Sequence, residues 1–249
     1  MITDPFAYLV ASVAVACLGL SKGGFIGFGL IATPLLALAI PPLEAAAILL
    51  PIMLAQDVFS AWSFRHDWDH RTLSLMLPGS VFGIALAWVL ARYLDQALVR
   101  LAVGMIGIAF AVSHWSGLRT KTQDSASGLF WGVAAGFTGT LANAGGPPFL
   151  VYAMSQDLPK MTFVGTMAIF FLVLNAVKLV PFFALGQFSN HNLATSAMLL
   201  PLAIITNFVG IRLVQRIHPS AFYRVSYGLV FAVSIGLTWQ GITQHGGKP

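Results

Sequence analysis

The stretch Asn143-Ala144-Gly145-Gly146-Pro147-Pro148 interrupts the apolar segment 126–155, which carries no Asp, Glu, Lys or Arg. A membrane-spanning helix needs about 20 mostly apolar residues, so this segment is longer than one span requires. Glycine and proline break helices and release backbone polar groups. Irregular backbone is tolerated at membrane depth only where protein buries it or where it lines a cavity. The stretch therefore predicts a broken helix whose interruption faces the protein interior.

A second apolar segment, 6–40, is interrupted in the same way by Ser21-Lys22-Gly23-Gly24. As a continuous helix it would be roughly 52 Å long at about 1.5 Å per residue, against a hydrocarbon core of about 30 Å. The other apolar segments have the length of single spans. They are 43–64, 73–91, 97–118, 163–185, 193–211 and 220–241.

The composition assigns the chain to the polytopic helical membrane proteins. Apolar residues make up 57% of its 249 residues and charged residues only 8%, where soluble domains carry about 25% charge. So few charges cannot cover the surface of a soluble fold that has this much apolar side chain. The single cysteine, Cys17, excludes an intrachain disulfide.

The two halves of the chain resemble each other. Each half opens with a broken segment and continues with three single spans, and Asp69-His70 aligns with Asn190-His191. This pattern predicts two membrane repeats. Their predicted bounds are 1–118 and 126–245, joined by a cytoplasmic linker at 119–125.

Charge placement favours a model in which each broken segment enters the membrane and returns. If each broken segment crossed once, Lys and Arg would divide almost evenly between the two sides. With two re-entrant hairpins and six full spans, one side holds Arg65, Arg71, Arg119, Lys121, Lys160, Arg212, Arg216 and Arg224, and the other keeps Arg92, Arg100 and Lys248. The cytoplasmic bias of Lys and Arg then predicts both termini outside. Each half has an odd number of crossings, so the repeats are inverted, a recurring transporter design.

The helix that resumes after each break begins near the middle of the bilayer. Its first N–H groups lack helical partners and, with the helix dipole, form an anion site. Gly24–Gly29 would supply one such terminus, and Gly145-Gly146-Pro147-Pro148 the other from the opposite side, with Asn143 as a cap or a ligand contact. Tight helix packing is the alternative role for these glycines.

Three charged residues lie well inside the predicted membrane segments, away from the segment ends. Lys22 lies in the first break, Lys178 follows Asn175, and Asp57 is the only carboxylate well inside a span. Such residues usually mark pathways or pair with one another. We expect Asp57, with Gln56 beside it, to pair with Lys178 or to carry a coupling proton; snorkelling of Lys178 and a packing role for Asp57 remain open. The surplus positive charge predicts a small anionic ligand.

Other functional classes have little support in the sequence. There is no phosphate-binding loop of the type found in ATP-driven proteins, no basic patch for nucleic acid and no arrangement of a nucleophile with a base. The histidines carry no metal-ligand spacing, and His66, Asp67 and His70 share a short loop between spans. We therefore predict no catalytic residues, metal or cofactor, and a protein that is not an enzyme.

The run Leu20-Ser21-Lys22-Gly23-Gly24-Phe25, with Pro34-Leu35-Leu36, resembles the first repeat of the sulfite exporter TauE/SafE family. The run from Gly136 to Pro148, followed by Asn175 and Lys178, resembles its second repeat. The resemblance implies a multi-pass permease of the bacterial inner membrane for sulfite, sulfonates or organic anions. The two breaks and the buried charges predict the residues of the substrate site, which are Ser21, Lys22, Gly23, Gly24, Asn143, Gly145, Gly146, Pro147, Asn175 and Lys178.

These inferences predict a secondary transporter, with export as the favoured direction, that works by alternating access around a midplane anion site. A passive anion channel and an uptake permease for the same substrates remain alternatives, as does a scaffold whose glycines only pack helices. The expected partners are the lipid bilayer, the anion and a coupled proton. The oligomeric state, monomer or homodimer, is left open.

Overall fold

The computed structural model describes residues 4–22, 26–36, 39–40, 42–90, 93, 96–116, 124–184, 186 and 188–246. These described residues form ten α-helices and no strand, which confirms the predicted all-helical fold. The helices are α1 (Pro5–Ser21), α2 (Ile26–Leu36), α3 (Pro42–Ser63), α4 (His70–Leu90), α5 (Gln96–Trp115), α6 (Ser125–Ala142), α7 (Gly146–Ser155), α8 (Lys160–Ala184), α9 (Asn190–Arg216) and α10 (Pro219–Gly246).

The helix lengths fit a membrane protein. Among the described residues, five helices are long and apolar enough to cross a bilayer: α3, α4, α8, α9 and α10. Their positions agree closely with predicted spans. The helix α5 covers the remaining predicted span, 97–118, but is not among these five, so its crossing stays a prediction. Both segments predicted to be broken are divided, 6–40 into α1 and α2 and 126–155 into α6 and α7.

Polar residues in the spacers fix where several helices begin. The Asp4 carboxylate accepts hydrogen bonds from the N–H groups of Phe6 and Ala7, at 3.3 and 3.1 Å, at the start of α1. At the start of α9, Ser189 Oγ accepts from the Asn192 N–H at 3.1 Å. Such N-caps satisfy orphan donors and each contribute about 1 kcal/mol.

The chain forms two compact units that do not follow the predicted repeats. The first consists of Met1–Trp68 and Lys160–Phe222, and therefore holds α1, α2, α3, α8 and α9. The second consists of Asp69–Pro159 and Tyr223–Pro249, with α4 to α7 and most of α10. Each unit thus combines helices from both predicted repeats, whose own bounds stay a prediction.

In the first unit, α3 and α8 run antiparallel. Asp57, midway along the second half of α3, is hydrogen-bonded to Asn175 of α8. A Cβ atom added at Gly165, in the second turn of α8, would lie 3.1 Å from the carbonyl oxygen of Phe64, the residue that follows α3. The end of α3 and the beginning of α8 therefore lie at the same end of this unit.

The helix α9 runs parallel to α3 and is joined to it by hydrogen bonds. Ser196 Oγ donates to the Ile48 carbonyl at 2.7 Å, and further along both helices Asn207 Nδ2 donates to the Gln56 carbonyl at 2.8 Å. In membranes, interhelical side-chain hydrogen bonds contribute about 0.6 to 2 kcal/mol each. These bonds set the register of α3 against α9.

The helices α1 and α2 form a hairpin within this unit. A Cβ added at Gly19, near the end of α1, would lie 2.7 Å from the Asn207 nitrogen, and earlier α1 residues pack in a cluster with Leu199 of α9. Thus α1 runs parallel to α9 and ends at the depth of Asp57. Leu36, in the last turn of α2, belongs to the same cluster as residues in the first half of α3. The helix α2 therefore leads back toward the beginning of α3.

In the second unit, α6 and α7 form a comparable hairpin. A Cβ added at Gly145, just before α7, would lie 2.8 Å from the Ala135 carbonyl oxygen in the later part of α6. A Cβ at Gly128, in the first turn of α6, would lie 2.9 Å from the ring of Tyr152 near the end of α7. The helix α7 therefore returns along α6 toward the beginning of that helix.

Glycines bring the backbones of α4 and α6 into direct contact. Cβ atoms added at Gly79 or Gly83 of α4, or at Gly132 or Gly136 of α6, would overlap a backbone carbonyl of the other helix. Small residues spaced by four allow this close approach in lipid, where dispersion and weak Cα–H···O contacts replace the hydrophobic effect. Packing is thus the role of these four glycines.

Candidate anion-binding site

Lys22, Asp57 and Asn175 form a buried polar cluster in the first unit. The Lys22 ammonium lies 2.5 Å from Asp57 Oδ1, and Asn175 Nδ2 donates to Asp57 Oδ2 at 2.6 Å. Asp57 and Asn175 are fully buried, and Lys22 is 7% exposed. Each carboxylate oxygen of Asp57 therefore accepts a hydrogen bond from a different helix.

Lys178 adds a second positive charge to this cluster. It follows Asn175 by one helical turn, is 2% exposed and interacts electrostatically with both Asp57 and Lys22. Two ammonium groups and one carboxylate leave a surplus of one positive charge. Because buried charge is costly unless it is compensated, this surplus is the feature of the cluster that favours an anionic ligand.

Three helices position these groups. Lys22 caps the carboxyl end of α1, where the helix dipole favours a positive charge. Phe171, Asn175 and Lys178 lie three or four residues apart and so share one face of α8. The Phe171 ring centroid is 5.7 Å from Lys22 Nζ, within the range of a cation–π contact. Phe171 was not predicted from the sequence, in which its spacing of four from Asn175 is the available signal.

Two amide oxygens beside Asp57 remain without a hydrogen-bond partner among the described residues. They are Asn175 Oδ1 and Gln56 Oε1, both fully buried. Gln56 Nε2 donates to the Ala203 carbonyl of α9 at 3.1 Å, so Gln56 joins helices and does not pair with Asp57. Lys178 was the partner predicted for Asp57, whereas in the structure Lys22 forms the salt bridge with Asp57.

Ser21, which precedes Lys22, has a structural contact. Its Oγ donates to the Leu18 carbonyl at 2.7 Å, and a Cβ added at Gly29 of α2 would lie 2.8 Å from that oxygen. Ser21 therefore packs where α1 and α2 meet. The predicted site residues Gly23 and Gly24 lie outside the described residues.

Comparison with known families gives one decisive result. The family described as sulfite exporter TauE/SafE matches residues 11–237, nearly the whole chain. The chain belongs to the TauE/SafE family. The family is one of membrane permeases for sulfite-type anions. No curated protein and no solved structure shows a significant match to the chain.

The second break of this TauE/SafE protein lies in the second unit. Asn143 ends α6 in the left-handed conformation, with φ 52°, and its N–H donates to the Thr138 carbonyl. The Thr138 hydroxyl lies 2.7 Å from the Ala134 carbonyl oxygen and 3.0 Å from the Ala144 carbonyl oxygen, and it can donate to one of them at a time. Asn143 therefore terminates α6 by its backbone. Thr138, which was not predicted from the sequence, accepts hydrogen bonds from the turn at its carbonyl and can donate to the turn from its hydroxyl.

Gly145, Gly146 and Pro147 are buried at the beginning of α7. Proline has no N–H, so Pro147 and the proline after it cannot donate to a ligand, and the Phe149 N–H donates to the Gly145 carbonyl at 3.2 Å. In the first turn of α7, donation to an anion is thus restricted to the two glycine N–H groups. This is a smaller anion site than an ordinary helix N-terminus offers.

Proposed function

We propose that this protein is a secondary transporter that exports a small sulfur-containing or organic anion, such as sulfite or a sulfonate. The observation that carries the proposal is the burial of two lysines, Lys22 and Lys178, beside a single carboxylate, Asp57. The formal charge of the cluster is one positive, so it favours an anion, whereas a cation would add to that charge. The family description supports the same substrate class.

In this proposal the ammonium groups of Lys22 and Lys178 replace part of the hydration of the anion. Asn175 orients the site through its hydrogen bond to Asp57. We also propose Ser21, Gly23 and Gly24 as substrate contacts beside Lys22. From the second break, the corresponding proposed contacts are Asn143, Gly145, Gly146 and Pro147. The proposed transport cycle is alternating access, in which the anion site opens to one side of the membrane at a time.

The directions of the helices support two re-entrant hairpins and inverted repeats. In the first unit, the end of α3 and the beginning of α8 lie at the same end, which places Arg65 near the level of Lys160. Lys160 Nζ donates to the carbonyls of Val214 and Ile217 at 2.7 Å, so the basic end of α9 is there too. We propose that this basic end is cytoplasmic, in a bacterial inner membrane, with both termini outside.

Counterflow in proteoliposomes tests the proposed function. Purified protein is reconstituted with unlabelled sulfite inside, and uptake of labelled sulfite is measured with sulfate, sulfoacetate or isethionate as competitors. We expect transient accumulation of label that depends on internal sulfite, and competition by the sulfonates if the site accepts them. Accumulation in protein-free liposomes sets the background.

Two results distinguish a transporter from the alternatives. Flux that does not depend on internal sulfite and that appears as single-channel current identifies a passive anion channel. Absence of flux for every anion of the panel contradicts a transport function for the purified chain. Flux with Lys22→Gln equal to that of the wild type removes Lys22 from the site.

A further inference from the structure

The Asp57 carboxylate occupies the position at which a bound anion would neutralise Lys22. Its Oδ1 lies 2.5 Å from the ammonium of Lys22, and its Oδ2 accepts a hydrogen bond from Asn175. An oxyanion of the substrate needs the same kind of donors. A carboxylate and a substrate anion that compete for one ammonium repel each other in a buried site.

No other described acid faces this cluster. The end of α1 contributes Lys22, and α8 contributes Asn175 and Lys178. The hydrogen-bonded contacts of α9 with this part of α3 involve only the Ala203 carbonyl and Asn207, neither of which is ionisable. The described residues of α2, Ile26–Leu36, include no acid or base. Asp57 is therefore the acid in the cluster whose protonation releases the ammonium of Lys22.

We propose that Asp57 is an internal competitor of the substrate, and that one proton binds to Asp57 for each anion that binds to Lys22. The proton converts the carboxylate to a carboxylic acid, which no longer holds the ammonium. The anion then takes the position of the carboxylate next to Lys22. When the anion leaves, Asp57 loses the proton and re-forms the salt bridge. This inference rests on the proposed function and specifies its coupling.

The charge of the cluster explains why the two events are linked. Without substrate, Lys22, Lys178 and the Asp57 carboxylate have a formal charge of one positive. With a proton on Asp57, a bound monoanion leaves the same formal charge, and a bound dianion such as fully ionised sulfite leaves none. Binding of the anion alone places two negative groups at one ammonium, and protonation alone leaves two ammonium groups uncompensated. Both unlinked states are disfavoured in a low-dielectric interior.

Binding of sulfite at a series of pH values tests the linkage. Calorimetry in two buffers of different ionisation enthalpy gives the number of protons taken up, at alkaline pH where free sulfite is fully ionised. We expect about one proton per anion for the wild type, so that its apparent Kd rises by up to about tenfold per pH unit. We expect no proton uptake by Asp57→Asn.

The titration of sulfite itself changes the apparent Kd of both proteins by the same factor. The ratio of the wild-type Kd to the Asp57→Asn Kd therefore isolates the pH dependence that comes from the protein. Glu44→Gln is the matched control, since Glu44 is a carboxylate in the first turn of the same helix, and we expect it to keep the proton uptake. A ratio that does not change with pH, or one proton taken up by both proteins, overturns the inference.

Wild-type protein alone provides a test that does not depend on the folding of a variant. Asp57 is the only acidic residue well inside the predicted spans. Addition of sulfite should therefore produce an infrared difference band from the C=O stretch of a protonated carboxylic acid. The band should shift when the protein is labelled with ¹³C-aspartate. Sulfite binding without this band overturns the inference while leaving the proposed function intact. Absence of binding and of transport at every pH, for sulfite and for every other anion of the panel, contradicts the proposed function itself.

Discussion

Removal of Asp57 should destabilise the protein more than removal of its partner Lys22. Lys22→Gln leaves the Asp57 carboxylate with the Asn175 hydrogen bond and the positive charge of Lys178. Asp57→Asn leaves Lys22 and Lys178 as two buried ammonium groups without a carboxylate. The two variants break the same salt bridge. The difference between their losses of unfolding free energy therefore measures the effect of the third charged group, Lys178.

The expected losses of unfolding free energy follow from the charged groups that each variant leaves in the cluster. Breaking a buried ion pair by removing one partner costs about 3–5 kcal/mol. Two like charges on the order of 6 Å apart repel by about 3 kcal/mol at an effective dielectric constant of about 20. We expect losses of about 4–5 kcal/mol for Asp57→Asn and about 2–3 kcal/mol for Lys22→Gln. The double variant keeps Lys178 alone and should lose about 3 kcal/mol, well below the sum of the two.

Reversible unfolding in mixed detergent micelles, followed by circular dichroism, gives these free energies of unfolding. Glu44→Gln serves as the control, since loss of a carboxylate at a helix N-terminus costs less than about 1 kcal/mol. Equal losses for Asp57→Asn and Lys22→Gln refute the role assigned to Lys178. Additive losses in the double variant refute the buried pair itself.

Three further predictions concern packing, the second break and topology. Gly136→Leu should cost at least about 2 kcal/mol of unfolding free energy by overpacking α4 against α6. Gly236→Ala, whose Cβ meets no atom within 4 Å, should instead raise the unfolding free energy, by up to about 1 kcal/mol, because alanine favours a helix more than glycine does. Thr138→Val should cost about 1 kcal/mol in the same assay through the lost hydrogen bond; an unchanged value contradicts its role at the turn. Single cysteines at Asp67 and Asp157, both exposed, should react with an impermeant reagent from the same face of the membrane, and labelling from opposite faces contradicts the re-entrant second hairpin.

The helices could be predicted from the sequence because the apolar segments are separated by polar residues that cap helices. The two breaks could be predicted because glycine, proline and Lys22 interrupt segments too long for one span. The last turn of α9 was missed, because the apolar segment ends at 211 while the helix continues to Arg216. That turn is stabilised by Lys160, which donates to carbonyls at its end, a contact between distant parts of the chain.

The members of the polar cluster could be found from the sequence, but the pairing within it could not. Ionisable residues at membrane depth are few, so Lys22, Asp57 and Lys178 stand out. Which lysine meets the carboxylate depends on where α1 ends beside α3, and this is set by the packing of α1 against α9. Likewise, the sequence shows glycines at spacing four in α6 without showing that their partner is α4, because many apolar helices offer a similar surface.

The most direct test of the proposed anion site is equilibrium binding of labelled sulfite to purified protein. Wild type, Lys22→Gln and Arg212→Gln are compared, since Arg212 is an exposed positive charge on α9 outside the cluster. We expect the wild type and Arg212→Gln to bind one anion with the same affinity, and folded Lys22→Gln to bind none. Equal binding by wild type and Lys22→Gln would contradict an anion site built on the buried cluster.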